Sequence, residues 1–192
     1  MNKAFSFFPG CSYHSTAISY AESTRFVAGC LGIELYEIKD WNCCGASAAP
    51  TVNDDLMYSL STRNLALSED QHPYLPVMTP CTGCYAALKR AEVKTKADAS
   101  YRTHINKLIE MNYRGTARVI SLLDALTEEE MIQEIVDHLK KQLGGMKVAC
   151  YYGCGQVRPQ EITKAPNTEN PLTMERLLNA AGAECIEWSF KT

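Results

Sequence analysis

Three short apolar runs, residues 4–8, 33–38 and 75–78, each give out into a loop that holds cysteine, and this arrangement constrains the fold more than any other feature of the chain. The first run is stopped by Pro9-Gly10 and followed by Cys11. The second leads through Trp41 to Cys43-Cys44-Gly45, and the third closes at Thr79-Pro80 ahead of Cys81-Thr82-Gly83-Cys84. Short apolar runs bounded by Pro and Gly read as buried strands. Helical patterns separate them. Ile18, Ala21, Phe26, Val27, Cys30 and Leu31 recur at helical spacing, with Ser15 and Thr16 as candidate caps and Gly32 as the stop. Asn53 heads a second helix with Asp54 and Asp55 in its first turn, and a long charged pattern follows Cys84 to about Tyr113. Residues 118–126 and 127–143 read as two further helices, the latter opened by Thr127 and Glu130 as a capping box and ended by Gly144-Gly145. A strand over residues 146–152 follows. This alternation predicts an α/β fold, a Rossmann-like parallel sheet with the cysteine-bearing loops at its strand ends.

The chain also repeats itself. Phe7-Phe8-Pro9-Gly10-Cys11 is echoed by Tyr151-Tyr152-Gly153-Cys154, and the segments 28–34 and 179–184 are alike, each leading to a tryptophan, Trp41 or Trp188. We therefore expect a first unit over residues 1–145, including a helical linker, and the start of a second similar unit over 146–192. In the second, the counterpart of the double cysteine would fall just beyond Thr192, so Cys154 is expected to be the equivalent of Cys11 and a free thiol here. The tract from Gly153 to Arg158 begins like a dinucleotide fingerprint, but its sixth position is arginine and no helix is evident, so it is discounted.

A formal net charge of -3 offers no electrostatic footprint for nucleic acid. No apolar run approaches the roughly 20 residues that span a bilayer, and the N-terminus lacks the makings of a signal peptide, so the expectation is a cytoplasmic protein without a membrane span. Nine cysteines in a reducing compartment are poor disulfide candidates and read as thiolates offered to metal. No nucleophile-elbow or phosphate-loop pattern is present, and no catalytic side chain is assigned.

Written as a pattern, Cys11 is followed by thirty-one residues, Cys43-Cys44, thirty-six residues, and Cys81-x-x-Cys84. The double cysteine is awkward for one tetrahedral ion, because neighbouring side chains in an extended segment point apart. Five thiolates also exceed the four that close a structural zinc site, whereas an iron cluster takes thiolates on several metal atoms. Zinc binding remains open, as does a redox dithiol for Cys81 and Cys84 alone. Cys30, Cys150 and Cys185 read as packing residues.

These motifs resemble the CCG-domain iron-sulfur family, in particular the branch formed by the B subunits of heterodisulfide reductases. The resemblance implies a non-cubane [4Fe-4S] cluster on Cys11, Cys43, Cys44, Cys81 and Cys84, with Cys154 belonging to a second, incomplete site. It further implies electron transfer to a disulfide substrate, the mixed disulfide of coenzymes M and B in methanogenesis or a relative of it. The partners it implies are the flavin-containing and the iron-sulfur subunits of a heterodisulfide reductase-type complex. Related members serve in glycolate, lactate, glycerol-3-phosphate and succinate oxidoreductases, an alternative that stays open. Around such a cluster we expect Gly45 and Gly83 to admit close backbone approach, a helix starting near Cys84 to aim its free N–H groups at sulfur, and Trp41 and Pro80 to exclude water. His14 reads as a loop histidine without a part in the site, with a hydrogen bond to sulfur, or help for a proton on its way to a product thiolate, as the alternative. The basic residues Lys89, Arg90, Lys94, Lys96, Arg102 and Lys107 read as a solvated helix face, with docking of an electron donor as the alternative.

Overall fold

The computed structural model describes residues 3–192. Its packing separates two compact units, one ending at Ser121 and the other spanning Leu122–Thr192.

In the first unit, strands β1 (Ala4–Phe7), β2 (Glu34–Glu37), β3 (Val77–Thr79) and β4 (Val119–Ser121) form one parallel sheet in the order β2-β1-β3-β4. The Rossmann-like parallel sheet expected from the alternation is therefore present. Between the strands run a 3-10 turn at Cys11–His14, α1 (Ile18–Cys30), the short α2 (Ala49–Val52), α3 (Asp54–Gln71), α4 (Thr82–Ala97) and α5 (Ala99–Ile109). The chain steps from β1 to β2 on one side and returns to β3 and β4 on the other. That reversal opens a crevice beyond the carboxyl ends of β1 and β3, where ligands of open α/β sheets bind. Phe8, Ile38, Leu65, Val77, Leu88, Tyr113 and Val119 build the core, and Cys44 and Cys84 lie within it.

Several local readings change. Residues 119–121 are a buried strand and not helix; three residues are too few to show a period, and pairing with β3 decides their state. Two buried carboxylates fasten this edge. Glu92 accepts the Val119 N–H at 2.8 Å while Lys89 and Lys96 neutralise it at 2.8 and 2.9 Å. Glu69 accepts from the N–H groups of Arg114 and Ala117 and from the Thr116 hydroxyl. Two residues of the supposed solvated basic face, Lys89 and Lys96, thus hold one internal carboxylate. The long helix breaks at Asp98, whose carboxylate accepts the Tyr101 N–H at 2.8 Å and starts α5. Asn53 caps α3 as its sequence suggests. Ser15 does not cap α1; its hydroxyl turns back to the Cys11 carbonyl at 3.3 Å, and the helix begins three residues later.

The second unit holds α6 (Leu122–Leu126), α7 (Glu129–His138), β5 (Lys147–Val148), α8 (Cys154–Val157), α9 (Gln160–Thr163), α10 (Thr173–Ala180) and β6 (Glu184–Cys185), with β5 and β6 parallel. Where the sequence suggested a boundary after residue 145, the packing places it after Ser121, because α6 and α7 lie against α10. The capping box is not formed, since the Thr127 hydroxyl donates back to the Leu123 carbonyl at 2.7 Å. A short helix does begin at Cys154, contrary to expectation. Cys150, Tyr152 and Val157 centre a small core. Beside it the Tyr152 hydroxyl donates to Glu175 at 2.6 Å, and the buried Lys191 ammonium lies 2.6 Å from the other carboxylate oxygen, off the ideal hydrogen-bond direction, as an ion pair.

Candidate metal centre

Cys11 opens the turn after β1, Cys43 and Cys44 lie in the loop after β2, and Cys81 is the N-cap residue of α4, just past β3. Topology therefore delivers all three loops to the carboxyl edge of one sheet. The sulfurs meet as a string. Cys11 and Cys43 are within hydrogen-bonding reach of one another, Cys44 lies beside Cys43 and 3.4 Å from Cys84, and Cys84 also touches Cys81. The two neighbouring cysteines thus divide their loyalties, exposed Cys43 toward Cys11 and buried Cys44 toward Cys84. Among the described residues no three His, Cys, Asp or Glu side chains are arranged around a single point to hold one ion.

Backbone conformation makes this approach possible. Gly10 has φ +79°, and a Cβ there would stand 2.9 Å from Cys84 Sγ. Gly45 has φ +77°, and its Cβ would meet Leu60 at 2.9 Å and Ala49 at 3.0 Å. Both positions need glycine for conformation and for space. Gly83 does not, since a Cβ there would make an ordinary 3.8 Å contact with Cys81 Sγ.

The thiols are electrostatically unequal. Contact with the Cys84 thiol, helped by the first-turn amides of Cys84 and Gly83 at looser than hydrogen-bond geometry, outweighs burial and brings Cys81 down to about 5. The Cys84 thiol likewise holds Cys44 down to about 7, aided by the Ala46 N–H. Cys84, between these two and buried, is pushed up and keeps the proton the group shares. At Cys43 the Gly45 N–H, 3.5 Å away, favours thiolate, but burial and the nearby Cys44 and Cys11 together raise it. A cavity of about 190 Å³ adjoins Cys11, Cys81 and Cys84, walled by Gly10, Tyr13 and Tyr20.

Trp41 packs edge-on against Phe8 with ring centroids 5.5 Å apart, and Pro80 lines the cavity. His14 stacks on Trp41 and lies 3.3 Å from Glu37. Glu37 also meets Arg25 at 3.2 Å and Trp41 Nε1 at 3.4 Å, so it ties the Cys11 turn to the double-cysteine loop. Ser61 donates to the Cys44 carbonyl at 3.0 Å, and Asn64 brackets the Asn42 backbone at 2.9 and 3.0 Å. None of these supports showed in the sequence, because apart from the Glu37–Trp41 bond, which is four residues apart, they act across 12 to 22 residues or more with no periodic signal. Cys154 is exposed at the start of α8 in the second unit. Cys150 packs in that unit's core and Cys185 against it, whereas Cys30, read as packing, is exposed at the end of α1.

Residues 5–89 match the family described as the cysteine-rich domain, CCG. This segment is a CCG domain. The matched residues take in all five converging cysteines of the CCG domain, in line with the resemblance read from their spacing. The chain is 38% identical over 97% of its length to the 8-methylmenaquinol:fumarate reductase membrane anchor subunit of Wolinella succinogenes. It is 28% identical over its full length to the B subunit of the ferredoxin:CoB-CoM heterodisulfide reductase of Methanosarcina mazei. A protein of Archaeoglobus profundus described as like the B subunit of heterodisulfide reductase is 27% identical over 94% of the chain. The chain spans 62–64% of the length of these relatives. A crystal structure of a hypothetical protein from Helicobacter pylori shares the fold around the CCG domain and beyond, with a TM-score of 0.69 over 97% of this chain and 33% of that one at 12% identity. Among the described residues no helix is long and apolar enough to cross a membrane.

Proposed function

We propose that Cys11, Cys43, Cys44, Cys81 and Cys84 hold a non-cubane [4Fe-4S] cluster, and that the chain serves as the electron-transferring subunit of an oxidoreductase complex in the cytoplasm. The observation that carries this reading is the string of five thiols at the switch point of the sheet, with Gly10 kept bare against Cys84. Five converging thiols exceed the four that close one tetrahedral site and suit several metal atoms bridged by sulfide better. The donor set is soft, two of its members are poised toward thiolate, and first-turn amides offset negative charge, as a buried anionic cluster requires. When bound, the cluster supplies a one-electron relay. The chain's own residues hold its shape: Ser61, Asn64 and Glu37 fix the loops, and Phe8 and Trp41 belong to the packing that buries Cys44.

For the physiological reaction, two readings have support. Likeness to two proteins of the heterodisulfide reductase B type favours reduction of a disulfide, with flavin-containing and iron-sulfur subunits as partners and Cys154 contributing to a second cluster. The higher identity to a methylmenaquinol:fumarate reductase subunit favours relay between a quinol and a dicarboxylate reductase. Anaerobic reconstitution with ferrous iron and sulfide, followed by metal analysis and electron paramagnetic resonance, tests the cluster. Stoichiometric iron and sulfide with a signal on one-electron redox change is the expected result; uptake of zinc alone would sink it. Oxidation of the loaded protein by a mixed thiol disulfide, against oxidation by fumarate through its co-purifying flavoprotein, separates the two reactions.

A further inference from the structure

Thr79 closes β3 two residues before Cys81. Its backbone is engaged in the sheet, in register with Ser121 of β4. Its side chain is 0% exposed, and Oγ1 has no hydrogen-bond partner in the protein. Buried hydroxyls are costly to leave unpaired, so such an atom calls for an explanation. Alternation along the strand puts Thr79 on the same face as Val77, and Val77 packs in the core that contains Cys44 and Cys84. Valine has the same branched shape and would fill this strand position without the cost of an unpaired hydroxyl, so packing alone does not call for threonine. Among the described residues, no other buried unpaired hydroxyl lies within two residues of a candidate ligand; those of Ser59, Thr62 and Tyr113 are remote in sequence from the five cysteines.

We propose that the Thr79 hydroxyl donates its hydrogen bond to a sulfur of the group held by the five cysteines. The inference rests on the iron-sulfur reading above and makes Thr79 a positioning residue that tunes the group. A donor to sulfur withdraws electron density and favours the reduced state, so threonine here raises the reduction potential. The full chain is loaded anaerobically with ferrous iron and sulfide as wild type, T79V and T79S, and midpoint potentials are measured by titration followed by electron paramagnetic resonance. T79V is expected to titrate at a lower potential than wild type, with T79S restoring the wild-type value. In the metal-free proteins T79V is expected to unfold at no lower temperature than wild type, and that advantage disappears on loading. Failure of T79V alone to take up iron would also support the assignment, because T79S keeps the hydroxyl and loads. Equal potentials for loaded wild type and T79V would overturn it while leaving the cluster intact. A wild-type chain that takes up neither iron nor sulfide would overturn the cluster reading, and the Thr79 assignment with it.

Discussion

Cys11 and Cys154 occupy matching places in two halves of an internal repeat, yet only one of them sits among partners. Each follows a buried aromatic residue, Phe8 or Tyr152, and each opens a four-residue helical turn. Each unit then passes through a helix, α1 or α10, to a second parallel strand and a tryptophan. The differences lie in the backbone and in the company. Gly10 takes φ +79° and lets Cys84 approach, whereas Gly153 takes an ordinary φ of −66°. The first sheet has a third and fourth strand, and the loop after the third brings Cys81 and Cys84 to Cys44. The second sheet has two strands of two residues, and its small core is reinforced by the Tyr152, Glu175 and Lys191 cluster. A cysteine beyond a strand becomes a site only where topology returns other chain segments to the same edge.

The comparison can be broken most directly by removing one cysteine from each half. C84A is expected to abolish iron uptake after reconstitution, because Cys84 joins the double-cysteine loop to Cys81, while C154A keeps the iron content of the first unit unchanged. Iron per chain decides the matter, and equal loss in both would erase the distinction between the halves.

Next in size is the buried pair of the second unit. E175Q leaves the Lys191 ammonium, 7% exposed, without its counter-charge and should cost about 3–5 kcal/mol of that unit's stability, read by denaturant unfolding. Glu175 also predicts a pH effect. Burial pushes its carboxyl up, but the charge of the paired Lys191 ammonium and the hydrogen bond from Tyr152 outweigh this and hold it below its ordinary 4.5. A carboxyl depressed in the folded state stabilises fully above its unfolded value, so the contribution is whole at neutral pH and is lost as pH falls below about 4.5. E175Q should flatten that acid limb, and an unchanged limb would assign acid sensitivity to other carboxylates.

Gly10 and Gly153 give a smaller, sharper contrast. G10A forces a Cβ onto a positive-φ extended conformation reserved for glycine and against Cys84 Sγ, costing about 1–3 kcal/mol for the conformation alone and impairing metal uptake. G153A, at ordinary φ, is expected to stay within about 1 kcal/mol of wild type or to gain slightly. Thermal unfolding of the two variants side by side tests this.

The smallest effect belongs to the half-exposed tether at Glu37. E37Q weakens its pairs with His14 and Arg25 and should cost at most about 1 kcal/mol, less in high salt. A larger loss would mean that the link between the Cys11 turn and the double-cysteine loop bears more of the fold than its exposure suggests.

Strand and helix alternation, the Asn53 cap, and the five cysteines with their spacing were all legible in the sequence, because each is a local pattern of residue types along a few turns or one strand. What escaped were features that depend on distant chain. Residues 119–121 are strand only because β3 and the Glu92 carboxylate are there to pair with them. His14 takes Trp41 and Glu37 as its partners, whereas the lost Thr127 cap is a local event, its hydroxyl donating to the Leu123 carbonyl one turn back. The sequence by itself determined which residue types the chain could bring to a metal and that they would lie beyond strands, since apolar periodicity and loop chemistry are properties of neighbours. Only the tertiary structure decided that Cys43 meets Cys11 while Cys44 meets Cys84, and that Cys154 is exposed within its own unit. Strand order is set by burial and pairing summed over the whole sheet, and no local stretch of chain carries that sum.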